Sequence, residues 1–159
     1  MQKNSTKIDE IFVSERTPKE NLALIKEFPF LKYKSLYCDA EPIEDGSWTF
    51  LDDIPEGWVK AFGLKMCQEI KNALVEEDLL DEYKIFQTKE KFGTLRWYDN
   101  GVSKKVEDII WKYEGISANT CCQCGKPATK LSTGWICPYC DECAEKFRGK
   151  YTNIIHSKL

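Results

Sequence analysis

The sequence predicts an α+β fold: two or three helices packed on a small antiparallel hairpin or sheet, followed by a cysteine-rich module at the C-terminus. Three observations predict it. Trp58, Phe62, Met66, Ile70 and Leu74 recur every four residues, the signature of one helix face. Two short runs rich in aromatic and branched residues, 83–88 and 94–98, then switch to a strand-like composition. Finally, the 159-residue chain holds eight cysteines against one histidine, and six of those cysteines fall between positions 121 and 143.

Taken in order, residues 1–16 are polar apart from Ile11-Phe12-Val13 and read as a loose arm or short edge strand. Thr17 opens the first helix. It suits the N-cap, Pro18 suits the first helical position, and Glu20 completes a capping box. Leu22, Leu24 and Ile25 give this helix a short apolar face. Pro29 stops it, because its ring and missing N–H cannot continue the ladder. Residues 29–56 are irregular and acidic, broken by Pro42, Gly46 and Pro55. Their aromatics, Tyr33, Tyr37, Trp48 and Phe50, either pin the segment to the core or build a functional loop.

The second helix is expected from about Gly57 to Glu77. Cys67 and Ala73 widen its apolar stripe, while Lys65, Glu69, Lys71 and Glu76 lie mostly on the opposite side. Cys67 reads there as a small buried hydrophobe, and Cys38 stands apart from the cluster. The two strands follow, connected by residues 89–93, with Gly93 free to take a positive φ or a bulge. Asp99-Asn100-Gly101 is a turn. A third helix is expected from about Ser103 to Glu114, with Val106, Ile109, Ile110 and Tyr113 inward and Gly115 at its end. These limits give an N-terminal arm at 1–16, a core domain at 17–117 and a C-terminal module at 118–159.

The net charge of −3 hides an uneven distribution: +2 over 1–38, −10 over 39–82 and +5 over 83–159. Either half of such a bipolar chain can serve as a docking face. The strong basic excess of an obligate nucleic-acid binder is missing. No apolar run approaches the ~20 residues of a membrane helix, so no membrane partner is expected. The first residues lack the apolar core of a signal peptide, which predicts a cytoplasmic protein.

Without a secretory signal, and with CxxC pairs present, the cysteines read as metal ligands rather than a disulfide framework. Cys121 and Cys124 form one C-x2-C knuckle, and Gly125 after it permits the tight turn. Cys140 and Cys143 form a second knuckle fifteen residues on, giving the spacing of a structural zinc motif. Cys137 with Cys140 makes a competing pair. The set Cys121, Cys124, Cys140 and Cys143 is preferred, because Cys143-Ala144-Glu145-Lys146-Phe147 looks like the start of a helix. A hairpin over 130–136 followed by ligands on that helix is a treble-clef-like arrangement. Cys122, next to a ligand, is expected to point away, and His156 reads as an exposed tail residue. Four thiolates close the coordination sphere, so the one zinc ion expected is structural.

The scarcity of histidine leaves little room for catalysis. A Ser-His-Asp or Cys-His arrangement would have to rest on His156, and there is no P-loop or G-x-G-x-x-G fingerprint. The acidic stretch Glu76, Glu77, Asp78, Asp81, Glu82 is a magnesium site only in the least favoured reading, as a metal-dependent enzyme. The segment from Lys89 to Tyr98 offers more. Strand alternation puts Arg96 and Tyr98 on one face, where Lys89, Lys91, Arg96 and Tyr98 would bind a phosphate, a nucleotide or a single-stranded nucleic acid. The alternative is an amphipathic hairpin whose aromatics fill the core while its charges stay wet.

Several segments occur together in a recognisable order: Phe28-Pro29-Phe30-Leu31, Ile54-Pro55-Glu56-Gly57-Trp58, Lys89-Glu90-Lys91-Phe92-Gly93-Thr94-Leu95-Arg96-Trp97-Tyr98, the cysteines at 121–124, and Gly134-Trp135 with Cys140-Asp141-Glu142-Cys143. Over roughly 28–147 the chain resembles a family of small, largely uncharacterised bacteriophage and bacterial proteins with a KEKFGxLRxY core and a C-terminal zinc knuckle pair. In that family the last ligand is often histidine where this chain has Cys143, which supports Cys140/Cys143 and leaves Cys137 as an extra. The resemblance implies a phage or prophage accessory protein and carries no activity to transfer. The resulting expectation is a non-enzymatic, zinc-stabilised protein that binds a host protein or a small nucleotide in host takeover or counter-defence. A nucleic-acid-binding zinc protein is the alternative.

Overall fold

The computed structural model describes residues 16–37, 39–147 and 149–154. Residues 1–15 of the expected arm at 1–16, Cys38 and His156 therefore lie outside the described residues. The architecture mixes helices with two small antiparallel sheets: a two-stranded hairpin of β1 (Ile85–Lys91) and β2 (Thr94–Asp99), and a three-stranded sheet in which β3 (Lys130–Ser132) lies between β4 (Pro138–Tyr139) and β5 (Tyr151–Asn153). Helix α1 (Pro18–Glu27) starts as its sequence requires: the Thr17 side chain accepts from the Glu20 amide, and the Glu20 carboxylate accepts from the Thr17 amide. The chain then turns through Pro29–Leu31 into the acidic segment. That segment lies against the core. Asn21, buried in α1, donates to the Gly46 carbonyl at 2.8 Å, and a second capping box at Thr49 and Asp52 opens the short turn Phe50–Asp53.

The long apolar stripe forms one nearly continuous helical rod: α2 (Glu56–Trp58), a π-helical segment Val59–Gly63, and α3 (Leu64–Glu76). A four-residue repeat overruns a 3.6-residue turn by about 40° at each step. A wider π turn takes up part of that drift, and all five stripe residues are buried. Cys67 is fully buried among them, and burial pushes its thiol pKa far above the usual range.

The hairpin pairs β1 (Ile85–Lys91) with β2 (Thr94–Asp99). The expected connection at 89–93 is corrected here. Lys89, Glu90 and Lys91 belong to the ladder, and the turn is Phe92-Gly93 alone, with φ of 53° and 83°. Two residues with positive φ reverse the chain with a twist that matches the strands, so pairing extends to Lys91↔Thr94. Helix α4 (Lys104–Ser117), capped by Ser103, also outruns its expected end at Gly115. Its last residue gains a tertiary bond: the buried Ser117 hydroxyl accepts from the Leu95 amide at 2.8 Å and donates to the Glu114 carbonyl at 2.6 Å. That gain outweighs the weak helix preference of one glycine.

The cysteine-rich segment holds β3 (Lys130–Ser132), β4 (Pro138–Tyr139), α5 (Asp141–Lys146) and β5 (Tyr151–Asn153). It packs directly on the helical rod. The Gly57 amide donates to the Cys122 carbonyl at 2.9 Å, and the Trp58 indole donates to the Thr120 carbonyl at 2.9 Å. Backbone meets backbone so closely that a Cβ on Gly57 would sit 2.2 Å from the Cys121 carbonyl oxygen. Cys122 and Cys137 belong to the same buried cluster as Trp58, Phe62 and Leu95. No helix among the described residues is long and apolar enough to cross a membrane.

Candidate metal centre and ligand face

Four sulfurs, those of Cys121, Cys124, Cys140 and Cys143, lie within 4.8 Å of one another, with Cys124 and Cys140 at 3.6 Å. Two local structures hold them. The knuckle after α4 closes through Cys121 N–H to the Lys126 carbonyl at 2.7 Å and Gly125 N–H to the Cys121 carbonyl at 3.0 Å. Gly125 has φ of 80°, and a Cβ there would strike the Gly57 carbonyl oxygen at 2.6 Å. On the other side, Cys140 is the N-cap of α5 and its sulfur accepts from the Cys143 amide. The 15-residue spacer is spent on the β3–β4 hairpin, which brings the second pair back to the first.

The electrostatics fit a cation. Burial opposes ionisation of Cys121, but backbone amides of Cys140, Cys124 and Gln123 aim at its sulfur and together pull its pKa down to about 7. Cys143 moves the other way, raised by burial and by the neighbouring sulfurs. Four thiolates this close repel one another, so all four ionise together only around a positive charge. The arrangement is compatible with one metal ion held by four sulfurs.

The two surplus cysteines have a different role. Cys122 does point away from the sulfur cluster, into the core beside Cys137, where the two thiols interact and the Tyr139 hydroxyl approaches Cys122. Cys137 is not among the clustered sulfurs. The acidic stretch is dispersed: Glu76 pairs with Lys105 at 2.9 Å, and Glu77 accepts from the Ser103 hydroxyl. Among the described residues, no second group of metal-binding side chains converges.

The strand register decides the other candidate. Gln87↔Tyr98, Lys89↔Arg96 and Lys91↔Thr94 are direct pairs, so Lys89, Lys91, Arg96 and Tyr98 all project from the outer face of the hairpin. Thr88, Leu95 and Trp97 face inward and are buried. The Lys89 ammonium lies 5.5 Å from the Tyr98 ring centroid. The Arg96 guanidinium donates to the Thr94 hydroxyl at 2.6 Å and to the Leu95 carbonyl at 3.0 Å, with Glu114 at 3.9 Å. Two further aromatics, not among the predicted face residues, stand exposed at the tips of adjoining turns, Phe92 at 73% exposed and Trp135 at 79% exposed. The signal for both was a following or preceding glycine, Gly93 and Gly134, each with positive φ at the tip of a turn.

A separate cavity of about 670 Å³ opens where the acidic segment crosses the start of β1, between Phe30, Phe50, Tyr83 and Phe86. Lysines 32, 34 and 84 at its walls are offset by Asp39 and Asp81, and none of the four outer-face residues lines it. Compared with family models, curated proteins and solved structures, the chain matches none of them.

Proposed function

We propose that this is a non-enzymatic binding protein, folded around one structural zinc ion, whose outer hairpin face takes an anionic partner. The observation that carries the reading is the register that gathers Lys89, Lys91, Arg96 and Tyr98 on one side of a rigid ladder. The zinc assignment rests on donor chemistry and spacing. Four sulfurs at ~2.3 Å from one tetrahedral ion lie about 3.8 Å apart, close to the 3.6 Å between Cys124 and Cys140. A knuckle, a hairpin and a helix that opens on the third ligand make the module treble-clef-like. With every position taken by sulfur, such an ion has no place for an activated water and serves the fold. The face suits a nucleotide or the acidic surface of another protein. A host protein as that partner follows from the sequence resemblance.

Metal analysis of the purified chain should find one zinc per molecule. Cys124→Ser should lose it, while Cys137→Ser should keep it; iron in place of zinc would correct the metal, and full zinc in Cys124→Ser would refute the ligand set. For the face, Lys91→Ala/Arg96→Ala should elute from immobilised polyphosphate at lower salt than the parent chain. Equal retention removes the face from the proposal.

A further inference from the structure

Two large aromatic side chains stand in water at the tips of adjoining hairpins, and nothing in the fold uses them. Phe92 is 73% exposed, at φ 53° in the left-handed region that a bulky residue rarely adopts. Trp135 is 79% exposed beside Gly134. The tips abut through Gly93, whose Cβ position would lie 3.3 Å from Ile136 Cγ2 and 3.5 Å from Leu131 Cδ1. Strained backbone at an exposed aromatic is the kind of outlier that points to a ligand.

We propose that this surface binds single-stranded nucleic acid, with Tyr98, Phe92 and Trp135 as successive stacking platforms and Lys89, Lys91 and Arg96 as phosphate contacts. The inference rests on the anionic-partner reading and names the partner. Two of the three rings have a lysine close by, Lys89 at 5.5 Å from the Tyr98 centroid and Lys91 at 5.8 Å from the Phe92 centroid, so these two platforms each have a phosphate-binding group at hand. Four strand residues separate Thr94 at the turn from Tyr98, about 14 Å. A stacked strand rising ~3.4 Å per nucleotide would lay about four nucleotides along that length. A duplex hides its base faces from side chains such as these, whereas a single strand offers them. Glu114 lies near Arg96, and Glu90 is turned inward, its carboxylate accepting from the Gly93 amide at 2.6 Å. Three cations less the Glu114 carboxylate leave the face with a net charge of about +2.

The test uses the zinc-loaded full chain and four probes: labelled 15-mers of deoxythymidine and of uridine, a 15-base-pair duplex, and inorganic polyphosphate. At least one single strand should bind, with the duplex tenfold weaker or more, and the two 15-mers distinguish DNA from RNA. Three phosphate contacts predict roughly a 16-fold loss of affinity between 50 and 200 mM salt. Phe92→Ala and Trp135→Ala should each weaken binding about 5- to 160-fold, the range of one lost stack. Binding should also quench tryptophan fluorescence, and Trp135→Phe should lose that component. Equal affinity for the duplex, or wild-type affinity in both alanine variants, overturns the stacking proposal. Polyphosphate binding that falls in Lys91→Ala/Arg96→Ala but ignores the aromatic variants overturns it too, while leaving the anionic face intact. Competition by polyglutamate as strong as by the oligonucleotide assigns the surface to an acidic protein instead. No binding to any probe overturns both readings.

Discussion

Phe92 isolates what a single residue can cost its own fold. Holding a non-glycine residue in the left-handed region costs roughly 1–2 kcal/mol. A ring that stays 73% exposed recovers little of that by burial. Phe92→Gly removes the strain and adds about 0.5–1 kcal/mol of backbone entropy cost. Urea denaturation should therefore show a midpoint equal to or above the parent's, although an aromatic side chain has been deleted. A loss above about 1 kcal/mol would mean that the ring holds the hairpin together and is not reserved for a ligand. Cysteine shows the same point in reverse. The two-residue spacing named Cys121 and Cys124 but left two choices for the second pair, and the helix start after Cys143 decided between them. The placement of Cys122 and Cys137 was only half legible. A thiol aimed at the cluster and a thiol aimed at the core share one letter, and only the backbone direction at the knuckle separates them.

At the level of elements, local signals were reliable where the backbone itself enforces them. Thr17-Pro18-Lys19-Glu20 specifies its cap through its own amides, and α1 begins where that box requires. Boundaries set by partners far along the chain were not legible. Gly115 reads as a helix end, yet α4 continues to Ser117 because that hydroxyl meets the Leu95 amide on β2. The π segment is equally hidden: a strict four-residue repeat looks like a good α-helix, and its drift becomes visible only against a fixed core. Ser117→Ala tests the α4 argument. It leaves the buried Leu95 N–H without its acceptor, at a cost of about 1–3 kcal/mol. Guanidinium denaturation should report that loss, and hydrogen exchange at Leu95 should accelerate. An unchanged midpoint would show that the last turn of α4 is held by something other than this bond.

For the whole molecule, the core and the cysteine-rich segment share one interior, joined at Gly57, Trp58, Cys122 and Cys137. That union was beyond the reach of sequence, since a change in composition at 118 marks a change of stabilising chemistry and not a gap in packing. The shared interior includes a phenol whose ionisation couples stability to pH. Tyr83 is 4% exposed, and burial, reinforced by the charge of Asp99, raises its pKa above the ordinary value near 10. A raised phenol leaves stability intact below the unfolded-state value. Above it, the unfolded chain sheds a proton that the native state keeps, so stability falls as pH rises. The slope approaches about 1.4 kcal/mol per pH unit for this one group. The chain should thus lose stability steeply above about pH 10. Tyr83→Phe separates that effect from others. The hydroxyl also accepts from the Trp97 indole at 3.0 Å, so the variant should be about 1–3 kcal/mol weaker at pH 7. Between pH 7 and pH 11, however, it should lose about 1 kcal/mol less than the parent, because the titrating group is gone. Denaturation curves at the two pH values give both numbers. An identical alkaline loss in parent and variant would place the pH dependence elsewhere in the interior.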